Sequence, residues 1–235
     1  MIIVASTSTD KLMPGISYIV QKELQIKKCM CMDILAGCNG YINAFDIARN
    51  YIALGKVNYA LVVGCEVLSS YTNEFDFGTA IILSDGAGVT LIGKTEEEKM
   101  YSSLIESEGQ RGEILTCNSN EKIKMEGKAI YKYAVTDTVK NVRQLLQENN
   151  LTLEDIKYIV PHQSNMRIIQ GIAQRLKISK EKIYTNIKET GNTFCASIPI
   201  ALNEMFEKEL LQKNDKIILL GYGGGLNLGS ILIEI

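Results

Sequence analysis

At 235 residues the chain can bury a substantial core, as one large domain or two packed halves. Hydrophobic residues make up 46% and charged residues 22%, an ordinary globular balance. A formal net charge of −2 excludes a general binder of nucleic acid or anionic membrane, which needs a basic surplus.

No stretch has the uninterrupted apolar character of a membrane span, and MIIVASTSTD has no basic region ahead of its apolar residues. The expectation is therefore a cytoplasmic protein. Six cysteines (Cys29, Cys31, Cys38, Cys65, Cys117 and Cys195) are scattered, with neither zinc-site spacing nor a histidine cluster, which points to reduced thiols and no metal.

In chain order, IIVAS predicts a buried strand and residues 14–27 a helix begun near Pro14. CMCMDIL predicts a second strand, ending in the turn AGCNG. Residues 41–54 suit a buried helix closed by Gly55, and YALVVGCEVL a strand covered on both faces. AIILSDGAGVTLIG predicts two strands around a glycine turn. The charged run KTEEEK, residues 94–99, is the expected boundary between a half at 1–95 and a half at 96–235. Beyond it, residues 126–149, 164–176 and 197–211 predict helices, YIVPH a strand, and KIILLGYGGGLNLGSILIEI two strands around a glycine turn. Alternating strands and helices make the chain α/β, and the similar endings of the two halves suggest an internal duplication.

Three polar residues stand at three junctions. Cys38 lies between a strand and a helix, where orphan amides and the helix dipole favour a thiolate; a small buried cysteine is the plain alternative. His162, the one histidine, follows Pro161 at a strand end, where α/β sheets bind ligands. Asn192 lies in a turn before a helix, as a cap or as a donor to a developing enolate. The segment Gly221-Tyr222-Gly223-Gly224-Gly225 lacks the Lys-Ser/Thr of a phosphate loop, leaving a tight hairpin or a bare backbone N–H aimed at an oxyanion. Asp85-Gly86-Ala87-Gly88 suits a turn better than a metal site.

Together AGCNGY, SDGAGV, VPHQSNMRI, GNTFCASIP and GYGGGLNLGS, in that order, resemble the β-ketoacyl-acyl-carrier-protein synthase III family over residues 1–235. The resemblance implies a thiolase-like fold, two similar α/β halves in αβαβα layers, and a family dimer. It implies that Cys38 takes an acyl group from acyl-CoA, that His162 and Asn192 hold the thioester carbonyl of malonyl-carrier protein during loss of CO₂, and that the N–H groups of Cys38 and Gly224 form the oxyanion hole. Asn165, Arg167, Met125, Gly127 and Tyr131 would line the pantetheine tunnel, with Arg167 and Lys132 docking the carrier. Met13 would reach a neighbouring subunit's acyl pocket. No cofactor is implied, acyl-CoA being a substrate, and neither nucleic acid nor membrane is an expected partner.

Three departures accompany the resemblance. The family has a further strand and helices ahead of IIVAS; the missing strand is expected in the middle of the first sheet, supplied by a separate chain, made up for by a rearranged sheet, or lost in a truncated remnant. Phe77 stands where an arginine commonly stacks on the CoA adenine, and it would bind CoA by stacking there without the charge. Phe194 and Cys195 replace small residues after Asn-Thr, and Phe194 would narrow the pocket or pack a helix. The alternatives are accordingly a specialised-pathway acyltransferase and a non-catalytic subunit.

Overall fold

The computed structural model describes residues 1–72, 75, 77–118 and 121–235, the side chains of 77 and 78 excepted. The first half runs β1 (Ile2–Ala5), α1 (Ile16–Glu23), β2 (Cys31–Ile34), α2 (Gly40–Ala53), β3 (Tyr59–Glu66), the short α3 (Phe77–Ala80) and β4 (Gly86–Gly93). The chain then enters β5 (Tyr101–Ser107), the two-residue strands β6 (Leu115–Thr116) and β7 (Lys124–Met125), and the long α4 (Gly127–Glu148). It closes with β8 (Tyr158–Pro161), α5 (Met166–Leu176), the short α6 (Ile187–Thr190), α7 (Ser197–Glu207), β9 (Lys216–Gly223) and β10 (Asn227–Glu234).

Two four-stranded sheets result, in the orders β2-β1-β3-β4 and β5-β10-β9-β8. In the first, β1 pairs in parallel with both β2 and β3, and β4 runs antiparallel to β3. In the second, β8 and β9 are parallel while β10 runs antiparallel to both β9 and β5. Helices α2 and α7 form the layer between the sheets. Ile42, Phe45, Leu202 and Met205 meet Ile3 and Val62 on one side and Ile217, Leu219 and Ile231 on the other. Helices α4 and α5 cover the outer face of the second sheet through Val142, Leu145, Ile169 and Ile172, and α1 lies on the first through Ile16 and Val20. β9 is buried from Ile217 to Gly223 because helices cover both its faces, which its unbroken apolar run requires. Each fully buried Ile or Leu in these layers contributes roughly 1.5–3 kcal/mol.

Two expectations are corrected here. No gap opens in the middle of the first sheet, because β1 is hydrogen-bonded on both sides. Among the described residues the unpaired edges are β2 and β4. β4 alternates between covered and exposed residues, leaving Val89 and Leu91 in solvent, whereas its counterpart β10 is buried and flanked by β5. The run at 80–83 is not a strand. Its backbone instead meets the Asn192 turn, with Asn192 N–H donating to Ile82 O at 2.9 Å and Ser84 N–H to Asn192 O at 2.9 Å. The glycine hairpin predicted there exists only in the second half, between β9 and β10.

Candidate active site

Cys38 sits in a single 3-10 turn, residues 37–39, between β2 and α2. Gly37 takes φ +55°, and a Cβ there would stand 3.3 Å from Gly224 O. A Cβ on Gly223 would fall 2.7 Å from Cys38 Cβ, so the β9–β10 turn approaches the thiol only because it is bare backbone. The N–H groups of Cys38 and Gly224 both reach the sulfur.

His162 follows β8, and its N–H donates to Leu220 O at 2.7 Å. Its ring is buried, meets Tyr222 edge-on with centroids 5.4 Å apart, and lies with Nδ1 2.7 Å from Ser197 Oγ. Burial lowers its pKa to about 3, so the imidazole is neutral. The Asn192 side chain accepts the Phe194 N–H through Oδ1 at 3.0 Å, which turns its amide nitrogen toward the remaining space.

One cavity of about 830 Å³ joins these groups. Cys38, His162, Asn192, Phe194 and Tyr222 line it together with Met125, Gly127, Tyr131, Asn165 and Arg167. Eight of the residues expected at the site, from all parts of the chain, thus share one wall. Phe194 is one of the lining residues, the position from which it would narrow the pocket. Asn165 also caps α5, its Oδ1 accepting the Arg167 N–H at 2.8 Å. Lys132 is exposed and does not line the cavity; Lys128, one turn earlier on α4, does. Met13 is 86% exposed and lines no part of its own chain's cavity. Asp76 and the side chain of Phe77 lie outside the described residues.

The electrostatics differ from the expected thiolate. Desolvation, and after it the nearby Glu66 carboxylate, push the Cys38 thiol far up, and the two amides that favour the anion do not offset them. Both effects favour the thiol form of Cys38 over the thiolate. Glu66 itself is buried at the end of β3, where it accepts the Ser8 hydroxyl at 2.7 Å, the Thr7 N–H and hydroxyl, and the Cys195 thiol at 3.1 Å. Burial raises its pKa as well. Glu66 is not among the residues expected at the site, although a carboxylate inside the apolar run ALVVGCEVL is a signal for it. Ser197 and Lys128 are not among them either, and they carry no local signal.

The chain can be set beside known proteins on this geometry. Residues 32–109 match the family described as 3-oxoacyl-acyl-carrier-protein synthase III, and residues 146–235 match its C-terminal region. The beta-ketoacyl-acyl-carrier-protein synthase III of Clostridium novyi (strain NT) is 41% identical, over 100% of this chain and 76% of the relative. That of Clostridium kluyveri (strain NBRC 12016) is 40% identical, over 100% and 77%. A crystal structure of the 3-oxoacyl-acyl-carrier-protein synthase III of Aquifex aeolicus VF5 superposes with a TM-score of 0.97 at 35% identity, covering 100% of this chain and 76% of that one.

Proposed function

From the premise that this chain belongs to the 3-oxoacyl-acyl-carrier-protein synthase III family, we propose that it condenses an acyl group from acyl-CoA with malonyl-acyl-carrier protein, using Cys38, His162 and Asn192. The observation that carries this reading is the single cavity lined by all three. In the first step the Cys38 sulfur attacks the acyl-CoA carbonyl. The C–S bond to CoA breaks, and the thiol proton ends on the departing CoA thiol. The N–H groups of Cys38 and Gly224 hold the oxyanion meanwhile.

In the second step the malonyl thioester carbonyl accepts hydrogen bonds from His162 Nε2–H and the Asn192 amide. Its terminal C–C bond breaks, CO₂ leaves, and the electron pair becomes an enolate held by those two donors. The enolate carbon attacks the acyl-Cys38 carbonyl. The C–S bond returns its electrons to sulfur, which takes a proton from solvent. Neutral donors suit this step, because an imidazolium would protonate the carbanion. Every step balances with thiol, thioester and CO₂, so the scheme calls for no metal or redox cofactor.

Arg167 and Lys128 at the cavity wall suit the phosphates of CoA and an acidic carrier, and Met125, Gly127, Tyr131 and Asn165 suit the pantetheine arm. A homodimer, with Met13 entering the neighbour's pocket, extends the reading; the exposed Met13 and the open edge of β2 are compatible with it. A cytoplasmic setting agrees with six free cysteines, and among the described residues no helix is long and apolar enough to cross a membrane.

The test is incubation with radiolabelled acetyl-CoA, then malonyl-carrier protein. A thioester on Cys38 that moves to the carrier supports the reading. Label that stays on Cys38 would favour plain acyl transfer, and no label an inert subunit.

A further inference from the structure

The His162 ring has two nitrogens, and the reaction proposed above needs the proton on Nε2, the one not engaged by Ser197. Nothing in the local sequence selects that tautomer. Ser197 is the first residue of α7, 35 positions from His162, and its side chain is buried. Its hydroxyl oxygen accepts the Gln163 N–H at 3.2 Å. A backbone amide can only donate, so that contact uses a lone pair of Oγ and leaves the hydroxyl proton to be placed. The acceptor in reach is His162 Nδ1, at 2.7 Å.

Were Nδ1 protonated, the hydroxyl would accept from two N–H groups, and its own proton would be buried without a partner. That arrangement is disfavoured by about tenfold to a hundredfold. Tyr222 does not alter the balance, since its hydroxyl contacts Ser164 Oγ at 2.8 Å and donates to the His162 backbone carbonyl at 3.2 Å, leaving the ring nitrogens alone. Burial keeps the imidazole neutral, so one nitrogen must carry the single ring proton.

We infer that Ser197 is a positioning residue that donates to His162 Nδ1, fixes the Nε2–H tautomer, and so aims the ring's one donor at the malonyl thioester. The inference rests on the proposed condensation for its catalytic meaning. The tautomer itself is readable whether or not that reaction occurs.

Because the chain has one histidine, protein labelled with 15N-histidine gives one pair of ring-nitrogen signals. At pH 7 the wild type is expected to show an unprotonated Nδ1 and a protonated Nε2. Ser197→Ala should move the tautomer ratio by about tenfold or more toward Nδ1–H. It should also lower kcat for CO₂ release from malonyl-carrier protein by about tenfold to a hundredfold, with KM changed less than about threefold. Ser197→Thr, which keeps the hydroxyl, should restore both. A protonated Nδ1 in the wild type overturns the inference, and so does an unchanged ratio in Ser197→Ala. Should Ser197→Ala fail to fold, the wild-type spectrum still decides. Normal tautomer behaviour in a protein that never takes up acyl label would instead count against the condensation.

Discussion

The two halves place a cysteine in the same backbone setting, at 38 and at 195. Each is the middle residue of a three-residue 3-10 turn leading into a central helix, α2 or α7, and each follows a residue of positive φ, Gly37 at +55° and Phe194 at +45°. Cys38 lines the cavity and receives the N–H groups of Cys38 and Gly224. Cys195 is turned into the packing between the sheets, with its sulfur 3.1 Å from Ala5 O and 3.1 Å from Glu66 Oε1. Burial raises both thiols. What separates them is what each sulfur faces: one a cavity with two aimed amides, the other acceptors that occupy its proton. Equivalent backbones thus hold the proposed nucleophile and a packing residue.

The comparison breaks most sharply under substitution. Cys38→Ala should abolish acyl labelling altogether, and label surviving on Cys195 would overturn the distinction. Replacing the second half's donors should spare the acyl step and damage the next. His162→Ala and Asn192→Ala should each slow CO₂ release by about 10²–10³-fold while Cys38 still accepts acyl label. Retained decarboxylation in either would remove that residue from the site.

A smaller effect concerns pH. Thiolate is the reactive form, so with its thiol raised, Cys38 should react with iodoacetamide at pH 7 at least about tenfold more slowly than an ordinary thiol. Its rate should still be rising at pH 9, and a plateau near neutrality would show a resting thiolate. His162 sharpens the contrast from the other side. Its folded pKa, lowered to about 3, lies below the unfolded value, so its stabilising contribution is complete above about pH 6.5 and is lost as pH falls toward 3. Acid unfolding of His162→Gln should be correspondingly less steep in that window. The smallest change is Cys195→Ala, which should keep labelling of Cys38 within about threefold and cost roughly 1 kcal/mol in urea unfolding.

Much of the fold was legible because hydrophobic period and glycine punctuation are local. The helices at 40–53 and 127–148 and the strands at 59–66 and 216–223 stand within a residue or two of where their patterns put them. The run at 80–83 misled, since a short apolar stretch looks the same whether it joins a sheet or braces a turn. Its contact with Asn192 spans more than a hundred positions. β5 was missed because a strand of mixed polarity, with three serines and a glutamate, carries a weak period.

By itself the sequence determined the order of elements, the three junctions that hold Cys38, His162 and Asn192, and the motifs that join the chain to its family. Only the tertiary structure decided that burial raises the Cys38 thiol, that Glu66 stands near it, that Lys128 lines the cavity, and that Ser197 meets the imidazole. Local patterns fix where a side chain stands along its own element. Desolvation, charge and hydrogen-bond partners depend on which distant elements the packed layers press against it.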